Sequence, residues 1–196
     1  MSASPAGLTA RRMSPADERR VAGWFAHPVI RHFVAEADST PHEIRVLSAK
    51  LVRSDPFTDG QCGYIFEFDG EPVAVAHYMW FNWISRTVEV DFFLVPGKKV
   101  NPFLAYLVIK RIVGIVFEDF NLHKVYCFIY CSNTVIFNLI SKWMKVEAVM
   151  QGYLKHGERC EDVYIMGLLS HEYDAMKKAP LARRHPEPST QTGANP

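Results

Sequence analysis

The chain has 196 residues, of which 48% are hydrophobic and 22% are charged, a composition typical of a soluble globular protein with one core. The formal net charge of +1 does not favour bulk attraction to nucleic acid or to a membrane surface, and no apolar run reaches the roughly 20 residues of a membrane span. The N-terminus has no charged start followed by an apolar block, so we expect a cytoplasmic protein without a secretory signal.

The first third of the chain predicts a short strand and two helical regions. Residues 8–13 are typical of a strand, and Ser14-Pro-Ala-Asp is typical of a helix start, with Ser14 as N-cap and Asp17 as the acid of a capping box. A second helical body covers residues 42–52.

Three strands and a long helix follow. Residues 62–68 and 72–81 flank Asp69-Gly70, which is the strongest short signal for a hairpin. Residues 87–95 predict a further strand that pairs with the second one. Residues 102–120 are apolar nearly all round, which indicates a helix buried against a sheet.

The last third predicts a strand over residues 122–131, a helix from Ser132-Asn133 to about Lys145, and two strands over 146–155 and 162–169. The element order is β α α β β β α β α β β. We expect one domain over residues 8–174, with residues 1–7 and 175–196 disordered because they are polar and rich in proline or small residues.

The cysteines do not indicate a metal site. Cys62, Cys127, Cys131 and Cys160 form no pair of C-x-x-C clusters, and a zinc site would need further ligands that the sequence does not line up. We therefore expect reduced, buried thiols and no metal.

Several local strings occur in the order found in one enzyme superfamily. They are Arg11-Arg-Met-Ser-Pro-Ala-Asp, Trp24-Phe-Ala-His-Pro-Val-Ile, Val88-Glu-Val-Asp-Phe-Phe-Leu, Phe117-Glu-Asp-Phe-Asn-Leu-His-Lys-Val, Cys131-Ser-Asn-Thr and Gly167-Leu-Leu-Ser-His-Glu-Tyr. Together with the element order, they resemble the GNAT superfamily of N-acyltransferases, especially the branch that acetylates the N-termini of ribosomal proteins.

The resemblance implies an α+β (mixed α/β) fold: a twisted, mostly antiparallel sheet of about six to seven strands, flanked by about four helices, with a V-shaped splay between the fourth and fifth strands. It also implies an acyltransferase enzyme. The donor is acetyl-CoA or another acyl-CoA, and the acceptor is a primary amine of a small molecule or peptide.

The resemblance also assigns the residues that bind the cofactor. The pantetheine arm pairs with the fourth strand at Phe93, Leu94 and Val95, and Asn133 lies near it. The pyrophosphate loop is represented by Lys98, Lys99, Val100, Asn101, Phe103 and Leu104. Here Pro102 and Leu104 replace small residues of the family pattern, so the loop is degenerate. An acyl carrier protein or an aminoacyl-RNA is the alternative donor.

Two carboxylates are the candidate catalytic groups. Glu89 is the candidate base, and Asp91 lies two residues on, so alternation places it on the same face, where like charges raise one pKa. A solvent-facing carboxylate is the competing interpretation of Glu89. Many relatives carry a tyrosine acid where this chain has Ile140. The adjacent Ser141 is the candidate that replaces it, and the hydroxyls of Tyr130 and Ser132 are the alternatives.

The aromatic pair Tyr78 and Trp80 has three interpretations: an acceptor pocket, a homodimer patch and ordinary core packing. His77 alternates with these two residues, and a single histidine in such a position more often has a structural role than a catalytic one. Loss of the family residues leaves a second hypothesis for the whole chain, a GNAT-like binding or regulatory protein without catalysis. No pattern indicates nucleic-acid or membrane binding.

Overall fold

The computed structural model describes residues 7–34, 40–98, 100–156 and 159–178, so Lys99 and most of both predicted tails lie outside the described residues. The chain divides into two compact units, Met1–Phe128 and Ile129–Pro196. The first unit contains β1 (Leu8–Arg12), α1 (Glu18–Phe25), α2 (Pro28–Val34), α3 (Pro41–Arg53), β2 (Gln61–Phe68), β3 (Glu71–Asn82), β4 (Thr87–Leu94), α4 (Pro102–Gly114) and most of β5 (Lys124–Tyr130). The second contains α5 (Thr134–Ile140), β6 (Lys145–His156), β7 (Arg159–Leu169) and α6 (Ser170–Lys178).

The sheet of the first unit is mostly antiparallel, as predicted, with the strand order β1-β2-β3-β4-β5, and β6 and β7 form an antiparallel pair in the second unit. Strands β1 to β4 are antiparallel neighbours, whereas β4 and β5 are parallel because α4 connects them. The hairpin between β2 and β3 turns at Asp69 and Gly70, whose φ angles of 51° and 79° are both left-handed, as a two-residue hairpin turn of type I′ requires. The predicted hairpin is therefore confirmed.

Both faces of the sheet in the first unit are covered by helices. One face packs on α4, where the buried Tyr78 hydroxyl donates to the Ile112 carbonyl at 2.9 Å. On the other face, Ile65 and Val75 form a core cluster with residues of α1, α2 and α3. A single π-helical turn, Ile115–Asp119, extends α4, so the predicted helix over residues 102–120 is helical but changes its hydrogen-bonding pattern.

The second unit differs from prediction at its helices. Helix α5 ends at Ile140 instead of near Lys145, because Trp143 and Met144 both donate their N–H groups back to the Ile140 carbonyl in a closing turn. Helix α6 has no counterpart in the sequence prediction. Its start is marked by Glu172, whose carboxylate accepts the Leu169 N–H at 3.0 Å, an arrangement similar to a capping box.

The junction between β1 and α1 is held by a carboxylate that is only 5% exposed, that of Asp17. It accepts two hydrogen bonds from the Arg11 guanidinium, at 2.8 and 2.9 Å, and the N–H of Ser14 at 3.0 Å, which confirms the predicted role of Asp17 as a capping acid. The Arg11 hydrogen bonds lower the pKa of Asp17 from 3.8 to about 2.

Arg11→Met should therefore lower the free energy of unfolding by about 2 kcal/mol at pH 7, because it leaves a buried carboxylate charge without its partner while Arg11 itself is partly exposed. A pKa lowered by folding stabilises above the unfolded value of 3.8, and this stabilisation is lost as the pH falls toward 2. Urea unfolding at pH 7 and pH 2.5 should show a difference between variant and wild type that shrinks at the lower pH. Arg53→Met, which removes an ion pair between the exposed Arg53 and the half-buried Glu18, is the control, and an equal loss for both variants would contradict the account.

Candidate active site

Two polar rows interrupt the apolar face of the sheet that packs against α1 and α3. The strand registers place the members of each row side by side. The first row is Gln61, Met79, Glu89 and Tyr126, and the second is Gly63, His77 and Asp91. The next row, Ile65, Val75 and Phe93, is apolar again and belongs to the core. We call Gln61, His77, Glu89, Asp91 and Tyr126 the polar patch.

Strands β4 and β5 stop pairing at the polar patch. Their register has three pairs, and the last of them joins Glu89 to Tyr126. Strand β4 nevertheless continues to Leu94 and β5 continues beyond Tyr126. Over these described residues, the edge of β4 is therefore open on its β5 side after Glu89, and the predicted splay between the fourth and fifth strands is confirmed.

The direction of each backbone amide on β4 follows from one hydrogen bond. The Val95 N–H donates to the Val73 carbonyl at 2.9 Å, which points it toward β3. Successive residues of a strand point their backbone N–H groups to opposite edges. The Phe93 N–H therefore also points toward β3, whereas the Leu94 N–H points toward the open edge. Of the three residues predicted to pair with a cofactor arm, Leu94 is thus the one whose N–H points to the open edge. The Phe93 ring instead packs edge-on against the Phe25 ring, with centroids 5.8 Å apart.

The two carboxylates of the polar patch have raised pKa values. Glu89 is 9% exposed, and its burial, followed by the charge of Asp91, raises its pKa from 4.5 to about 7. Asp91 is more exposed than Glu89, and desolvation by the surrounding protein raises its pKa from 3.8 to about 6. Glu89 is thus not the solvent-facing carboxylate of the competing interpretation, and it changes protonation near neutral pH.

Tyr126 is a site residue that sequence reasoning misses. Its hydroxyl donates a hydrogen bond to the Glu89 carboxylate, which partly opposes the rise in the pKa of Glu89. The sequence does indicate that β5 lies beside β4, because a β4-α4-β5 crossover makes the two strands parallel neighbours. The register that brings Tyr126 beside Glu89 is not readable from the residue pattern.

For the acyl transfer to an amine that the resemblance implies, Tyr126→Phe should move the midpoint of the pH dependence of kcat/KM upward by up to about one pH unit. The reason is that the hydrogen bond that favours the charged form of Glu89 is lost. The profile between pH 5.5 and 9 measures this shift. Tyr64→Phe makes the same change on the opposite face of the sheet and should leave the midpoint in place. A midpoint for Tyr126→Phe equal to that of wild type would remove Tyr126 from the site.

The start of α4 offers few groups to a phosphate. The Asn101 side chain accepts the Leu104 N–H at 2.8 Å, its carbonyl accepts the Ala105 N–H, and Pro102 has no N–H, so at most the Phe103 N–H is left in the first turn. Lys98 forms an exposed ion pair with Glu71 at 2.8 Å. Of the other loop residues, Phe103 is 69% exposed, Leu104 is buried, Val100 is half-buried and Lys99 is outside the described residues.

The remaining predicted residues lie elsewhere. Tyr78 is fully buried on the α4 face, so it packs in the core, whereas Trp80 is 72% exposed at a bulge where its φ is 55°. Asn133 caps α5 by accepting the Ile136 N–H at 3.3 Å, which is its plain structural role. Ser141 follows α5 and donates to the Asn138 carbonyl at 3.3 Å.

Thiols and metal ligands add nothing to this site. Cys62 and Cys127 are buried and free, whereas Cys131 is half-buried and Cys160 is exposed, so only two of the four match the expected burial. Within the described ranges, His, Cys, Asp and Glu side chains form no group of three that could hold a metal. The helices in those ranges are all too short or too polar to cross a membrane.

The fold is shared with solved acetyltransferases. No protein-family model and no curated protein sequence matches the chain. Spermidine N-acetyltransferase SpeG from Vibrio cholerae, in complex with CoA and spermine, has a TM-score of 0.74 and 21% identity over 86% of this chain and 99% of that one. Mutant forms of the same enzyme give 0.72 and 18% over 89% and 100%, and a chimera with hSSAT gives 0.73 and 19% over 86% and 98%. At these identities the similarity establishes the fold, and the predicted GNAT fold is confirmed.

Proposed function

We propose that this protein is an N-acyltransferase that moves an acyl group, in the first instance acetyl, from a CoA thioester to a primary amine of a small, positively charged molecule. The observation that carries the proposal is the end of β4–β5 pairing at Glu89, which sets an open strand edge beside a carboxylate with a pKa of about 7. The shared fold with acetyltransferases, one of them solved with CoA and spermine, supports it.

The residues of the first unit fit the chemistry of amine acylation. A primary amine arrives as an ammonium ion and is a nucleophile only after it loses a proton, so a base that is half ionised near pH 7 is suited to accept that proton. Glu89 fills this role, Tyr126 holds its carboxylate, and Asp91 attracts the positive charge of the acceptor. When bound, an acyl-CoA supplies an activated carbonyl carbon, and the open amide of Leu94 is the backbone group that would hold its arm.

Thermal unfolding and thiol release test this function together. CoA and acetyl-CoA should each raise Tm, and free CoA should appear from acetyl-CoA only when an amine is present. A panel of spermidine, n-butylamine and a peptide with a free N-terminus ranks the acceptors. The last of these represents the finer resemblance to the ribosomal-protein branch. No change in Tm and no thiol release with any amine would contradict the proposed function.

The start of α4 favours a second candidate. Pro102, the Asn101 cap and the Lys98–Glu71 pair leave few N–H groups and cations that could bind a pyrophosphate. A donor that carries pantetheine without a pyrophosphate, such as an acyl carrier protein, would lose less binding energy at this loop. Activity with an acylated carrier protein, but not with acetyl-CoA, would identify this donor; an aminoacyl-RNA is tested the same way. Binding without transfer for every donor would indicate a GNAT-like regulatory protein.

A further inference from the structure

A chain of hydrogen bonds connects α3 to His77 in the polar patch. The Ser54 hydroxyl donates to the Lys50 carbonyl at 2.5 Å, and the Gln61 side-chain amide lies 3.1 Å from the Ser54 hydroxyl oxygen. The other end of the Gln61 side chain lies 3.1 Å from Nε2 of His77. Every group in this chain belongs to the first unit.

These hydrogen bonds determine which nitrogen of His77 carries the proton. The Lys50 carbonyl can only accept, and a distance of 2.5 Å between two oxygens requires a hydrogen, so the single hydroxyl proton of Ser54 points to Lys50. Ser54 must then accept from the NH₂ group of Gln61, which turns the Gln61 oxygen toward His77. An oxygen at that place accepts only from Nε2–H, so Nδ1 carries a lone pair.

The imidazole is also uncharged and reachable. Burial lowers the pKa of His77 to about 4, so the ring is neutral at physiological pH, while the side chain is only half-buried. Among the described residues, Nδ1 has no hydrogen-bond partner. The cross-strand neighbours are Gly63, over which Met13 and Leu51 pack, and the carboxylate Asp91.

We propose that His77 is a positioning residue for the amine acceptor: its Nδ1 accepts an N–H of an ammonium group that is attracted by Asp91, its direct cross-strand neighbour. Side chains opposite each other in an antiparallel pair have Cβ atoms about 4.5–5.5 Å apart, so one ammonium can contact both. Asp91 supplies the attraction and the imidazole supplies direction. The opposite tautomer would present an N–H to the ammonium and repel it, so Gln61 and Ser54 act by keeping Nδ1 unprotonated. The inference rests on the proposed function.

Two substitutions of His77 separate this role from a structural one. Asn places an oxygen close to the position of Nδ1, whereas Gln places an amide NH₂ close to Nε2. His77→Gln should raise KM for spermidine by about tenfold, with kcat within about twofold of wild type, because the acceptor atom is lost. His77→Asn should keep KM close to wild type but lower Tm, because the hydrogen bond to Gln61 is lost. The proposal would be overturned if His77→Asn raised KM for spermidine while His77→Gln kept it, or if neither variant changed it.

Nitrogen NMR of His77 in the wild-type protein gives a readout that does not need turnover. We expect the ¹⁵N shifts of an Nε2–H imidazole, and a change at Nδ1 when spermidine is added. An Nδ1–H tautomer, or no change at saturating spermidine, would overturn the role of His77. If the protein acetylates no amine but Nδ1 still responds to spermidine, the proposed function fails while the amine-binding role of His77 stands.

Discussion

Glu89→Gln should lower kcat/KM for a primary amine by about 100-fold or more at pH 7, because removal of a positioned general base typically costs this much. Gln keeps the shape of the side chain but cannot accept a proton. In wild type, the rate should rise with pH to a plateau above about 7, following the ionisation of Glu89, and this rise should be absent in the variant. Steady-state assays between pH 5.5 and 9 measure both effects.

The same substitution should stabilise the protein at high pH. Folding raises the pKa of Glu89 from 4.5 to about 7, so its contribution to stability is fully present below pH 4.5 and is lost as the pH rises through 7. Glu89→Gln should therefore be more stable than wild type at pH 8, by on the order of 1 kcal/mol, and should show no such gain at pH 4. Glu18→Gln, which changes a half-buried carboxylate paired with Arg53 outside the polar patch, is the control. Full activity in Glu89→Gln would remove Glu89 from the mechanism.

Leu94→Pro should lower kcat/KM by about tenfold while the protein remains folded, because the donor loses one backbone hydrogen bond. Proline has no N–H, and the Leu94 amide faces the open edge of β4, where its loss breaks no bond of the sheet. The amide is the group that we assign to the donor, so its removal should affect activity much more than stability. Circular dichroism, Tm and thiol release together measure the separation.

Val95→Pro, one residue along, is the matched control. The Val95 N–H donates to the Val73 carbonyl, so this substitution leaves a buried acceptor unpaired and should lower the free energy of unfolding by about 1–3 kcal/mol. The pair of variants should therefore divide cleanly into one that loses activity and one that loses stability. Equal destabilisation by Leu94→Pro would show that the Leu94 amide is already bonded within the protein.

Local patterns predict the part of this fold that local chemistry determines. Asp69-Gly70 identifies the β2–β3 hairpin because two consecutive left-handed φ angles suit those residue types. Ser14 and Asp17 identify the start of the first helical region because their side chains satisfy the free groups there. The local strings, together with the order of the elements, then give the GNAT resemblance, and that resemblance predicts the splay.

The partners within the polar patch depend on contacts between residues that are distant in the sequence, and local patterns do not predict them. Tyr126 lies beside Glu89 only because of the β4–β5 register, and the tautomer of His77 depends on Ser54 and Gln61, which belong to a loop and another strand. The same limit explains Tyr78, since alternation gives its face but not that α4 covers that face.

Hydrogen exchange of single amides on β4, followed by NMR with and without CoA, tests the central claim most directly. Without CoA, the Leu94 amide should exchange rapidly, whereas that of Val95, bonded to Val73, should be protected. With saturating CoA, Leu94 should become protected and Val95 should not change. A Leu94 amide that is protected in the free protein, or that exchanges equally fast with CoA, would contradict the account of an open strand edge that receives the donor.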